Sequence, residues 1–101
     1  MLLAFGTNSS RLGTRDAAVI EGYARIFARR LAEKPGSKLR IRAFADRREG
    51  DAAVLAVARM VVVRSALVAQ GISIDRIHSE NSVLDGGNPR QNRRVEASLD
   101  D

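Results

Sequence analysis

The sequence predicts an α+β domain: a two-layer α/β sandwich of order β-α-β-α-β-β, with two helices packed on one face of a small mixed sheet. Three observations carry this. "KLRIRAFA" (38–45) alternates apolar and polar residues, the period of a half-buried strand. Ile20, Tyr23, Ala24, Phe27 and Leu31 recur at helical spacing. "DAAVLAVARMVVVRSALVAQG" (51–71) runs from an aspartate to a glycine with no Gly or Pro between them, which argues helix despite its valines.

The elements follow in order. "LLAF" (2–5) reads as a short buried strand, and "GTNSSRLGTR" (6–15) as a polar loop. Thr14 or Asp16 is placed to cap the first helix. "KPGSK" (34–38) ends it, since Pro35 cannot continue a helix and Gly36 permits the turn. In the strand that follows, Leu39, Ile41 and Ala43 share one face and Arg40, Arg42 and Phe44 the other. "DRREGD" (46–51) is a loop, Asp51 is the expected N-cap of the second helix, and Gly71 is its stop after about Gln70. That helix is apolar on more than one face and is expected to be the more buried of the two. "SIDRIHSE" (73–80) and "RRVEASL" (93–99) read as two further short strands, with the turn-rich "NSVLDGGNPRQN" (81–92) between them.

A chain of 101 residues fits a single domain. It has no cysteine and one histidine, His78, so neither a disulfide framework, a Ser/His/acid or Cys/His set, nor a histidine-rich metal centre can be assembled. No catalytic residues, metal or cofactor are expected. His78 reads as a surface residue of a strand, and "DGG" (85–87) as a turn rather than a phosphate cradle. No uninterrupted apolar stretch approaches the about 18 residues of a membrane span. The charge is +5, and arginine supplies 15 of the 17 basic residues. Its planar fork grips carboxylates and phosphates, so the most remote reading is an anion binder using Arg40, Arg42, Arg47 and Arg48, with nucleic acid or acidic lipid as the partner; nucleic acid is not the partner expected. Asp46, Glu49 and Asp51 lie beside "RR" and read as solvated loop acids.

Two residues stand out. Asp46 falls where a strand ends, and Arg59 stands alone inside the apolar run of the next helix. At one mouth of the domain they could pair with each other, or grip a zwitterion, its ammonium on Asp46 and its carboxylate in the fork of Arg59.

Nearly the whole chain resembles a known family. "FGTNSSRL" (5–12) matches its opening strand and loop, and "AFAD" (43–46) the strand end at which the family carries "Gly-His-Thr-Asp". "LAVARMVVVRSALVAQGI" (55–72) matches a helix of the form "Leu-Ser-x-x-Arg-Ala-x-x-Val" followed by leucine and Gly-Ile, with Leu55, Arg59, Val63, Leu67, Gly71 and Ile72 in register. "DRI" (75–77) and "NRRVE" (92–96) complete the pattern. These residues resemble the OmpA-like peptidoglycan-binding domain, of the OmpA C-terminal and peptidoglycan-associated lipoprotein type. The resemblance implies one domain over 1–101, excised from a larger envelope protein, located in the periplasm of a Gram-negative cell near its wall and outer membrane. It implies non-catalytic, non-covalent binding of diaminopimelate in the peptidoglycan stem by Asp46 and Arg59, with Arg59 pointing out at the site's edge. Arg47, Asp51, Ala52, Leu55, Arg93 and Arg94 would form the rim, the last two also holding the final strand. Peptidoglycan, and other envelope proteins, are the partners it implies. Departures surround the site: Ala45, Ala52 and Ala56 replace the family's threonine, asparagine and serine, Ala43-Phe44 replaces Gly-His, and Met60 replaces alanine. A second reading follows from them, a ligand-free protein-interaction or assembly module.

Overall fold

Strand β2, Lys38–Asp46, organises the molecule. Its alternation puts Leu39, Ile41, Ala43 and Ala45 on one face, each wholly buried. Full burial of a Leu or Ile is worth about 1.5–3 kcal/mol, so this ridge alone fixes which side of the sheet is covered. The computed structural model describes residues 1–100. Its sheet has the order β1-β4-β2-β3, built from β1 (Leu2–Ala4), β4 (Arg94–Asp100), β2 and β3 (Ile77–Leu84). β4 pairs antiparallel with both β1 and β2, and β3 pairs parallel with β2, so the sheet is mixed as expected.

Parallel neighbours need a long crossover, and helix α2 (Ala52–Ala69) supplies it between β2 and β3. Helix α1 (Thr14–Glu33) packs on the same face and buries Ile20, Ala24, Phe27 and Leu31, four of the five residues read as its apolar stripe; Tyr23 stays 40% exposed. α1 starts at Gly13, whose N–H donates to Asp16 Oδ2 at 2.9 Å, so Asp16 rather than Thr14 closes the first turn. At its other end the Arg76 guanidinium donates to the carbonyls of Leu31, Lys34 and Ser37, satisfying groups a helix terminus leaves open.

Three expectations change. Residues Ile74–Arg76 form a 3-10 turn, not the start of a strand. β3 instead runs on to Leu84, because its ladder with β2 extends from Leu39↔Ile77 to Asp46↔Leu84 and outweighs the weak strand preference of "ENS". The expected loop therefore shrinks to a turn at Gly86 and Gly87, both left-handed, and a four-residue helix α3 (Pro89–Asn92) capped by the Asn88 side chain. α2 covers the sheet with Ala56, Arg59, Val63 and Leu67, yet Val54, Val57, Val61 and Val68 remain exposed on its outer side. By length and composition α2 could cross a membrane; here one side of it packs on the sheet and carries Arg59, half of a buried ion pair, while the other side is exposed.

The other face of the sheet is open and charged. Arg40 lies near Glu80 and Asp100, and Arg94 stacks 4.4 Å from the Phe44 ring centre. His78 is exposed on β3, as read.

Candidate functional site

The alternation of β2 ends at Asp46, where the chain turns sharply. The Asp46 carboxylate starts that turn itself: its Oδ1 accepts the Arg48 N–H at 2.8 Å, the side-chain-to-backbone bond aspartate favours two residues on. The Arg48 guanidinium then grips the same carboxylate with two bonds, Nε to Oδ1 at 2.8 Å and Nη2 to Oδ2 at 2.9 Å. Asn92 Nδ2 donates to Oδ2 at 2.8 Å. The Asp46 side chain is 1% exposed, while Arg48, which covers it, is 57% exposed. The Arg48 guanidinium, ahead of the opposing effect of burial, holds the Asp46 carboxyl well below the usual carboxylate range.

Arg59 sits two turns into α2 and faces inward, wholly buried. Its guanidinium and the Glu49 carboxylate form a two-pronged ion pair, with Nη1 2.8 Å from Oε1 and Nη2 bonded to Oε2. The remaining donors go to backbone carbonyls: Nε to Ser9 at 2.9 Å, Nη1 to Phe44 at 3.1 Å and Nη2 to Gly6 at 3.2 Å. An arginine has five N–H donors, and all five are engaged. Glu49 is as well used, accepting also from the N–H of Asp46 at 2.9 Å and of Asn8 at 2.8 Å. Burial works to raise the Glu49 carboxyl, but the Arg59 guanidinium and these N–H groups outweigh it and leave it lowered.

The structure thus brings Asp46 and Arg59 into one network but does not pair them, and it does not set both at an open notch. Arg59 does not point out at the edge of a site. A lone guanidinium in an apolar helix is stable when buried only if a carboxylate and carbonyls surround it, and here they do. Glu49 is not a solvated loop acid, and neither is Asp46; only Asp51 is exposed.

Comparison with family models and with curated proteins finds no match. Solved structures do match. Over 98% of this chain and 89% of theirs, the coordinates superpose on the peptidoglycan-associated lipoprotein from Burkholderia pseudomallei with TM-score 0.77 at 19% identity. The C-terminal domain of Helicobacter pylori MotB matches over 100% of this chain and 84% of its own, with TM-score 0.80 at 20% identity. The OmpA-like domain of FopA1 from Francisella tularensis matches over 97% and 70%, with TM-score 0.72 at 12% identity. The chain has the OmpA-like fold.

Within this OmpA-like fold the expected rim residues scatter. Arg47 is exposed and lies 3.2 Å from Asp85. Asp51 occupies the N-cap position in a left-handed conformation, without a side-chain cap bond, contrary to its expected capping role. Ala52 and Leu55 are half-buried in the first turn of α2. Arg93 Nε donates to the Phe5 carbonyl at 3.0 Å, and Arg94 donates to Glu96 and to the Gln91 carbonyl, so both hold the last strand. Arg40 and Arg42 lie on β2, and Arg47 and Arg48 in the following loop; Arg40, Arg47 and Arg48 each have an acidic neighbour, which breaks up the arginine patch. Sequence reasoning missed Arg48, Glu49 and Asn92 as the groups that meet Asp46 and Arg59. The Asp-x-Arg spacing of 46–48 carried the first of these signals.

Proposed function

We propose that this chain is a non-catalytic cell-wall-binding module that anchors a larger envelope protein to peptidoglycan in the periplasm of a Gram-negative cell. The stem peptide is held through diaminopimelate, whose ammonium takes the Asp46 carboxylate. One observation carries the reading: at the end of β2 in an OmpA-like fold, a buried carboxylate has as its charge partner a solvent-exposed arginine. The likeness to a peptidoglycan-associated lipoprotein supports the same partner. Arg59 serves by holding the two loops around Asp46 together, since none of its donors is left for a ligand carboxylate.

The test is retention on purified peptidoglycan. The folded wild type is retained at moderate salt, and Asp46→Asn, matched in shape and checked for folding by circular dichroism, washes off. Equal retention of the two, lost together as salt rises, would assign the binding to bulk positive charge instead. A second reading is favoured by the saturated network itself: with Arg48 on Asp46 and Glu49 on Arg59, the domain can serve as a ligand-free assembly module. Failure of the folded wild type and of every variant to be retained selects that reading.

A further inference from the structure

The residues that satisfy Asp46 and Arg59 are adjacent in sequence and opposite in charge. Arg48 presents a cation to Asp46, and Glu49 presents an anion to Arg59. A zwitterionic ligand would bring the same two charges, so the loop already supplies from within what such a ligand would supply from outside.

The two halves of this internal substitute differ in how readily they can leave. The Glu49 side chain is 3% exposed and accepts four N–H bonds, and its departure would strand the buried Arg59 charge. The Arg48 head is solvent-exposed and held at Asp46 and at the Gly87 carbonyl, 3.1 Å from Nη2. It can swing into water while its backbone N–H stays on Asp46 Oδ1 and Asn92 stays on Oδ2. What remains is a carboxylate with two vacated acceptor directions, beside a Gly87 carbonyl that has also lost its donor. Left-handed Gly86 and Gly87 shape the turn that brings that carbonyl to the site. Such a cradle suits a primary ammonium, which carries three N–H donors on a compact head.

We propose that Arg48 is a built-in competitor for the ligand's ammonium: the site is self-occupied at rest, and Arg48 sets how tightly an amine-bearing ligand binds. This rests on the wall-binding reading above. Affinity at Asp46 is then the difference between the ligand's bonds and those of Arg48, so removing the Arg48 head strengthens binding.

The experiment is calorimetric titration of the intact chain with free meso-diaminopimelate, alongside peptidoglycan retention, for wild type, Arg48→Ala, Arg48→Lys and Asp46→Asn. Arg48→Ala is expected to bind the amino acid roughly tenfold more tightly or better than wild type. Arg48→Lys, which keeps a competing cation, should fall back toward wild type, and Asp46→Asn should bind neither probe. Binding by Arg48→Ala alone, with wild type silent, supports the proposal equally. Unchanged or weaker binding by folded Arg48→Ala, while wild type binds, overturns the competitor and leaves wall binding standing. If wild type and Arg48→Ala both ignore the amino acid and peptidoglycan, the wall-binding reading fails and the competitor falls with it.

Discussion

Arg59 shows how a charged residue in an apolar helix can be a structural part. Its five donors tie the loop after β1, through Gly6 and Ser9, to the end of β2 at Phe44 and to Glu49 in the next loop. Removing one partner of a buried pair leaves the other charge without compensation, at about 3–5 kcal/mol. Glu49→Gln and Arg59→Met are each expected to lower the thermal midpoint by more than about 10 °C, and the double variant to lose much less than the sum of the two. Additive losses in the melting curves would mean that the two side chains act independently. The same cost makes Arg59→Ala a poor reporter of ligand binding, because lost retention would follow from lost folding. The sequence made both residues of interest visible, since Asp46 ends an alternating strand and Arg59 interrupts an apolar run. It could not reveal their partners. Glu49 and Arg59 lie ten positions apart across a loop–helix junction, and only the fold decides whether that loop tucks under the helix.

Among the elements, β2 and α1 were legible because each carries a clean period, and α2 because a long run free of Gly and Pro lies between Asp51 and Gly71; their bounds agree closely with the expected ones. β3 was not. Its half-polar sequence has little intrinsic preference for a strand, and its extent is set by the register it shares with β2, a non-local fact. The start of α2 was misread for a related reason: Asp51 is a favoured capping residue, but the tight turn from Asp46 drives it to φ 54°. L residues are disfavoured there by roughly 1–2 kcal/mol, aspartate by less than most, and glycine escapes that penalty at some cost in unfolded-chain entropy. Asp51→Gly is therefore expected to stabilise the domain by about 0.5–1 kcal/mol in urea unfolding. A loss of stability would show that the aspartate carboxylate has a role that the backbone conformation conceals.

Across the whole molecule, the two buried carboxylates set the response to acid. Asp46 and Glu49 both titrate lower in the folded state than in the unfolded chain, where about 3.9 and about 4.3 are usual. The unfolded chain therefore binds more protons in acid. The stability these groups contribute is complete above about pH 5 and drains away as pH falls from there toward about pH 2. Thermal midpoints should be level from about pH 8 to pH 5 and then drop, and Glu49→Gln should flatten that drop; a wild-type midpoint unchanged at about pH 3 would contradict the ionised network. The strand order has a further consequence, for the timing of folding. β4, the last strand among the described residues, lies between β1 and β2, and among those residues β1 has no other partner in the sheet. A polypeptide emerging N-terminus first can assemble β2, α2 and β3 early, but its opening strand must wait, unpaired, for residues translated some ninety positions later. Until then the edge of β2 at Leu39, Ile41 and Ala43 also stands unpaired, since its partners there are Leu99, Ala97 and Val95, and an open strand edge exposes an unfinished chain to aggregation.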